Sequence, residues 1–162
     1  MQESEGRRIK RSIIVDTNSI QLCTPEMLDR FRQIEHIAEH LKKKELEIEE
    51  WNSKASKDFE VNRVNGRRLT NVGTFRAYIE LYLRNHEGIN QELTLLVRQL
   101  ASEGSGLPIQ IYCFTKNKAW GAYEEIQADI FDHLFAVAAE FDLRLFQQPT
   151  GLDFRNLGED QS

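Results

Sequence analysis

The sequence predicts an α+β fold with the ferredoxin-like element order βαββαβ, and three observations support this class. Apolar residues that are β-branched or alternate with polar ones predict strands over 9–16, 93–98 and 107–114. Apolar residues that recur every three or four positions predict helices elsewhere in the chain. The small and polar stretch 102–106 joins two strands as a hairpin, so we expect one antiparallel sheet with two main helices on a single face.

Length and composition are those of a single globular domain. The chain has 162 residues, 40% of them hydrophobic and 29% charged, which separates it from disordered chains. The formal net charge of −5 argues against a general nucleic-acid binder. No apolar run approaches the roughly 20 residues that cross a bilayer, and residues 1–6 lack the apolar core of a signal peptide. By composition alone we expect a small cytosolic protein.

The first strand is followed by a helix with a clear start. Thr24 can cap the free backbone N–H groups, and Pro25 suits the first helical position. The apolar stripe of this helix consists of Leu28, Phe31, Ile34, Ile37 and Leu41. Beyond Leu41 the stripe thins, so we expect the same helix to outrun the core and project near Trp51 into solvent or against a partner.

Residues 52–88 interrupt the simple βαββαβ order. The pair Asn65-Gly66 between apolar residues predicts a small hairpin. A second helix then begins at Thr70 or Asn71 and ends near Gly88, with one apolar face formed by Phe75, Tyr78, Ile79, Tyr82 and Leu83. We interpret this segment as an inserted hairpin and helix outside the main core.

The last third of the chain returns to regular elements. A third helix over 120–141 has the clearest apolar stripe, and a short strand over 143–146 follows it. Residues 149–151 break regular structure, and 152–157 alternate once more before an acidic tail. Cys23 and Cys113 match no metal or redox spacing, so we read both as reduced thiols, with a disulfide between them as the alternative.

The sharpest catalytic pattern is His36, Glu39 and His40, which fits the zinc motif H-x-x-E-H. A zinc hydrolase would need a third ligand, and the motif lies in a charged segment where chance matches are common. His86 and His133 are interpreted as surface or capping residues. The sequence offers no convincing catalytic constellation, so we predict no enzyme, no cofactor and no metal site.

Two groups of basic residues could bind anions. Arg67 and Arg68, with Arg76 nearby, could form an anion site near a helix N-terminus, but nothing in the sequence fixes their geometry. We therefore interpret them as solvated charges. The cluster of basic residues within 7–11 could touch lipid headgroups or nucleic acid, and with acidic neighbours it makes a weak patch.

Several stretches resemble the C-terminal cytoplasmic part of bacterial miniconductance mechanosensitive channels, in the small-conductance mechanosensitive channel family. The most specific is 65–78, Asn-Gly-Arg-Arg-Leu-Thr-Asn-Val-Gly-Thr-Phe-Arg-Ala-Tyr. Shorter matching stretches are Gly6–Ser12, Leu96–Leu100, Gly106–Pro108 and Ile126–Leu134. Together they extend over nearly the whole chain from Gly6 to Phe154.

The resemblance implies a ring of subunits, typically a heptamer, at the cytoplasmic face of the bacterial inner membrane. In the family, a pore in the membrane opens under tension during hypo-osmotic shock, and ions and small osmolytes pass through it. The cytoplasmic parts enclose a vestibule, and a final strand joins its symmetry mates in a small barrel. Residues 1–7 would then be a linker from a β domain, 8–148 the αβ domain, and 149–162 the barrel strand and acidic tail. The interface residues expected here are Leu152, Phe154, Leu157 and Trp51.

One departure from the family decides what these residues can do. The sequence has no membrane helices and no β domain, and Met1 falls where the family's chain would leave that domain. We therefore expect a truncated reading frame that assembles subunits and filters solutes but does not itself conduct. The alternative is a free-standing ferredoxin-like regulatory domain that binds a small ligand. Neither interpretation includes a nucleic-acid partner.

Overall fold

The computed structural model describes residues 6–55, 62–102, 104 and 106–146, and it confirms an α+β fold. Four helices and a three-stranded antiparallel sheet lie within these ranges. In chain order they are β1 (Arg8–Val15), α1 (Pro25–Phe31), α2 (Ala38–Ala55), α3 (Asn71–Arg84), β2 (Leu96–Gln99), β3 (Leu107–Phe114) and α4 (Trp120–Val137). Short 3₁₀ turns, Thr17–Ser19 and Ala138–Phe141, follow β1 and α4. In these described ranges no helix is long and apolar enough to cross a membrane.

The sheet has the order β1-β3-β2, with β3 in the centre. Its register runs from Arg8 opposite Phe114 to Val15 opposite Leu107 in the pair of β1 and β3. The predicted hairpin of β2 and β3 is present, although β2 is shorter than the alternation indicated. Leu95 is buried and Leu96 exposed, so only part of the apolar run reaches the core.

The predicted strand over 143–146 is reduced to a bridge on the outer edge of β1. Val15 and Leu145 form an antiparallel bridge, and the Phe146 amide donates to the Ile14 carbonyl at 2.8 Å. With this segment counted, the spatial order is fourth, first, third, second, as the βαββαβ pattern requires. Residues 152–157, the predicted barrel strand, lie outside the described residues.

Helix α3 packs in the core, contrary to the expectation that it lies outside it. Five of its apolar side chains are buried: Val72, Phe75, Tyr78, Ile79 and Leu83. By contrast, Leu41 is the only buried apolar residue of α2. The apolar stripe of α3 explains this burial, because a helix with an apolar face of this width is stable only when another part of the protein covers that face. Tyr78 and Phe75 pack against Phe141 at ring-centroid distances of 5.4 and 5.2 Å.

The predicted single helix over 25–51 is wrong, because α1 and α2 are separate. Residues 32–37 form turns, and no Pro or Gly in the sequence marks this break. Arg32 Nη2 lies 2.6 Å from Glu45 Oε1, yet 13 residues of continuous helix would separate their Cα atoms by about 20 Å. Tertiary contacts therefore override the local helical pattern, and Ile37 is buried at the turn.

The predicted hairpin at Asn65-Gly66 is not formed by the described residues. The pair makes a turn, with Gly66 at φ 77°, but Val64 is 79% exposed. After the turn the chain runs along residues 21–23 instead. The Cys23 amide donates to the Leu69 carbonyl at 2.8 Å. Both cysteines are buried with free thiols, and burial raises the pKa of Cys23 to about 11 and that of Cys113 to about 12.

Asn71, at the start of α3, is buried and joins three parts of the chain. Its Nδ2 donates to the Ser19 carbonyl at 3.0 Å and to the Asp142 carbonyl at 3.3 Å. Its Oδ1 accepts from the Gln21 amide at 2.9 Å. The N-terminal end of α3 is therefore fixed against the loop after β1 and the turn after α4, and Thr70 caps it by accepting from the Gly73 amide.

Gly106 should tolerate no side chain. It has φ +86°, and an added Cβ would lie 2.7 Å from the Val15 carbonyl oxygen. Gly106→Ala should lower the free energy of unfolding by about 2–4 kcal/mol, since backbone strain and overpacking add. Gly104→Ala is the matched control, because Gly104 has φ +87° with nothing within 4 Å of the added Cβ, so only strain remains. Urea unfolding measures both, and equal losses would contradict the predicted contact.

Candidate functional site

A cavity between α2, α3 and the segment before α3 collects the basic residues of this part of the molecule. Its volume is about 380 Å³. We call it the basic cavity, and its charged or titratable lining residues are His40, Lys44, Arg67, Arg68, Arg76 and Glu80. The remaining lining includes the apolar side chains Leu41, Ile48 and Leu69. The structure thus brings together three arginines that we interpret from the sequence as solvated charges. It adds Lys44, which no sequence pattern indicated.

Asn52 fixes the chain that carries two of these arginines. Its side chain is 5% exposed, its Oδ1 accepts from the Arg67 amide at 2.7 Å, and its Nδ2 donates to the Arg67 carbonyl at 3.0 Å. Both polar groups of the Asn52 side-chain amide therefore bond the backbone of Arg67. The sequence contains a signal for this contact, because Asn52 follows Leu41 and Ile48 on the inner stripe of α2, where an apolar residue is expected.

The charge of the basic cavity is strongly positive. Lys44, Arg67, Arg68 and Arg76 give four formal positive charges against the single carboxylate of Glu80. Outside the cavity, Glu47 lies 3.9 Å from both Lys44 Nζ and Arg67 Nη1, and its side chain is 56% exposed. A second cavity, of about 490 Å³, adjoins the first and shares the lining residues Ile48, Arg67, Arg68 and Leu69. There Glu45 and Glu49 balance Arg67 and Arg68, so its lining has no net charge.

Asn52→Ala should lower the free energy of unfolding by about 1.5–3 kcal/mol, because two backbone groups of Arg67 lose their buried partner. Ser53→Ala is the matched control on the same helix, since Ser53 is exposed and should change stability by less than about 0.5 kcal/mol. Urea unfolding of both variants measures the difference. Equal stabilities for the two variants would contradict the role assigned to Asn52.

A second cluster lies where α3 meets α4 and consists of the rings of His36, Tyr78, Tyr82, His86 and His133. Tyr82 stacks on His133 with ring centroids 4.4 Å apart. The Tyr78 hydroxyl lies 2.6 Å from His133 Nε2. His86 Nε2 lies 3.2 Å from Asp129 Oδ2, and His36 packs against both tyrosine rings. The sequence predicts surface or capping roles for His86 and His133. His86 does cap locally, because its Nδ1 accepts from the Gly88 amide at 2.9 Å, and both rings also pack against Tyr82.

Protonation of His133 is disfavoured in this cluster. Burial lowers its pKa below the ordinary 6.5, the neighbouring His36 and His86 act in the same direction, and Asp129 opposes them. Burial also raises the pKa of Tyr82 to about 12, so its hydroxyl stays neutral near neutral pH. Neutral His133 is thus the form that the fold stabilises.

The stability of the protein should fall as the pH drops below about 6.5. In the unfolded chain His133 gains its proton near pH 6.5, whereas in the folded chain it does so only at a lower pH. Between these two pH values the unfolded state binds more protons, so the free energy of unfolding decreases as the pH falls. His133→Gln should reduce this loss, measured by urea unfolding at pH 7.5 and 5.5. Lys116→Gln, at an exposed residue outside the ring cluster, is the control. An unchanged pH dependence in His133→Gln would contradict the assignment.

The two histidines of the zinc motif, His36 and His40, lie in different environments. His36 lies in the turn before α2 and packs on Tyr78 and Tyr82, whereas His40 lines the basic cavity. The shared helix face that the motif needs is therefore lost at the break between α1 and α2. Within the described ranges, no group of three or more His, Cys, Asp or Glu residues could hold a metal ion.

The structure places one of the four predicted interface residues. Trp51 is 43% exposed near the end of α2, with the Arg67 guanidinium 5.9 Å from its ring centroid. Leu152, Phe154 and Leu157 lie outside the described residues. In the N-terminal basic cluster, Arg7 lies over Trp120 at 4.8 Å and Arg11 over Phe131 at 4.2 Å, so these two cations pack on α4.

Comparison with known proteins matches the part of the chain that forms the core around α3, β3 and α4. Residues 75–145 match the family described as mechanosensitive ion channel MscS, C-terminal. The chain is also 37% identical over 60 residues to the low conductance mechanosensitive channel YnaI of Escherichia coli strain K12. The similarity to the C-terminal domain of MscS-family channels thus covers residues 75–145, less than half of the chain. This family is one of ion channels rather than of enzymes.

The MscS-family match has a limited extent. The stretch shared with the E. coli channel covers 37% of this chain and 18% of that channel. The family match begins within α3 and ends at the bridge residue Leu145, which agrees with the finding that α3 packs in the core. Of the charged residues in the basic cavity, only Arg76 and Glu80 fall within the matched range.

Proposed function

We propose that this chain is the cytoplasmic vestibule domain of a mechanosensitive channel of the miniconductance type. The observation that carries the proposal is the match of residues 75–145 to the C-terminal domain of MscS channels. In the complete channel, membrane-spanning segments respond to tension in hypo-osmotic shock, and ions and small osmolytes pass through the vestibule. The domain holds the subunits in a ring, a heptamer in our proposal, and its walls filter solutes.

The fold supports an assembly role at two places. The sheet ends at the short bridge of Leu145, and the chain continues toward the alternating residues 152–157, which would complete a barrel only with copies of themselves. Trp51 and Leu46 are exposed on α2, 43% and 57% respectively. We propose that a neighbouring subunit covers Trp51, which would remove this apolar surface from water.

Native mass spectrometry of the chain tests assembly. We expect a discrete oligomer at high concentration, and Phe154→Glu should shift it toward monomer because a charge replaces an apolar side chain in the proposed barrel. Arg155→Glu is the control, since in the proposed strand the side chain of residue 155 would face the opposite side from that of Phe154. Monomer alone at every concentration, or equal effects of the two variants, would contradict an assembly role for residues 152–157.

The DNA sequence upstream of the Met1 codon provides a test of the channel function. The gene should encode apolar helices of about 20 residues in the reading frame that precedes Met1. The protein from that longer frame should restore survival of hypo-osmotic shock in cells that lack other mechanosensitive channels. An in-frame stop directly before Met1, or failure of the longer protein to protect cells although it reaches the membrane, would contradict the proposal.

A further inference from the structure

We propose that the basic cavity binds the phosphate group of a small anionic ligand. This goes beyond the proposed channel function, and it rests on residues that mostly lie outside the range matched to the channel family. His40, Lys44, Arg67 and Arg68 all precede residue 75, where that match begins. The site therefore lies mostly outside the matched range 75–145.

The first argument is charge brought together from three separate elements. Lys44 comes from α2, Arg67 and Arg68 from the segment before α3, and Arg76 from the second turn of α3. Four positive charges face one carboxylate, Glu80, in a chain whose net charge is −5. Like charges repel, so an anion bound among these cations would relieve part of their mutual repulsion. The positive end of the α3 dipole, beside Gly73, adds a contribution of the same sign.

The second argument is that three of the four cations, Lys44, Arg67 and Arg76, have weak ion-pair partners or none among the described residues. Among the described residues, Arg76 has no carboxylate within ion-pair distance, and Lys44 and Arg67 reach only the exposed Glu47 at 3.9 Å. Exposed ion pairs of this kind contribute little. An incoming phosphate can therefore bind these groups without breaking a strong interaction.

The third argument is that the cavity is built rather than incidental. The buried side chain of Asn52 holds both backbone groups of Arg67, and Thr70 caps α3 at the edge of the cavity. The walls include Leu41, Ile48 and Leu69, which lower the local dielectric and strengthen attraction to an anion. A volume of about 380 Å³ lies in the range of small-ligand pockets.

Phosphate fits this lining better than a single carboxylate. Guanidinium groups form paired hydrogen bonds with phosphate oxygens, and a group with two negative charges matches the excess of three positive charges. The neighbouring cavity of about 490 Å³ contains the same Arg67 and Arg68 but also Glu45 and Glu49, so it offers no such excess. The phosphate could belong to a soluble metabolite or to a lipid headgroup.

Isothermal titration of the 162-residue chain with inorganic pyrophosphate at low salt tests the site. We expect saturable binding with one site per chain, weakened at least about tenfold by Arg76→Gln. Glu80→Gln should instead strengthen binding roughly two- to fivefold, a gain that no unfolded variant could produce. Arg84→Gln is the matched control on the same helix, because Arg84 is exposed and does not line the cavity.

The source of the phosphate is assigned by a parallel experiment with vesicles of phosphatidylglycerol. Cosedimentation that Arg76→Gln abolishes and Arg84→Gln does not would assign the site to a lipid headgroup. Pyrophosphate binding without such cosedimentation would assign it to a soluble ligand. The proposal is overturned if neither probe binds, or if Arg76→Gln and Arg84→Gln weaken binding equally, since that result means non-specific attraction.

Discussion

Two buried asparagine side chains hold residues 67–71 in place, and both the core and the basic cavity depend on them. Asn52 bonds both backbone groups of Arg67, and Asn71 bonds the carbonyls of Ser19 and Asp142 and the amide of Gln21. Buried polar groups are costly unless they are hydrogen-bonded, so each asparagine specifies one position for the segment opposite it. Residues 67–71 are thereby fixed at both of their ends.

This arrangement separates two tasks within one small domain. Residues 75–145 match the MscS C-terminal domain and form the core together with β1 and α1. Within this range α3 and α4 meet through Tyr78, Tyr82 and His133. The earlier α2 contributes little to the core and instead supports the cationic segment beside it. The matched range thus adjoins a separate surface feature, and a ligand there would contact both α2 and α3.

The predictable parts of the structure are those set by local chemistry. Nearby residues determine several features that the structure confirms: the bounds of β3, the helix caps Thr24 and Thr70, and the apolar stripe of α4. The break between α1 and α2 is different, because no Pro or Gly marks it and the contact of Arg32 with Glu45 joins residues 13 positions apart. The position of Arg67 likewise depends on Asn52, 15 residues away, so the arginines alone could not predict a cavity.

Hydrogen exchange at the Arg67 amide tests the central claim, that Asn52 fixes the cationic segment, most directly. In the native chain this amide donates to a buried oxygen, so it should exchange at least about tenfold more slowly than in Asn52→Ala under conditions where both proteins are folded. The amide of Val64, which bonds the exposed Asn62 side chain, should exchange at the same rate in both proteins. Equal rates for the Arg67 amide in the two proteins would contradict the account.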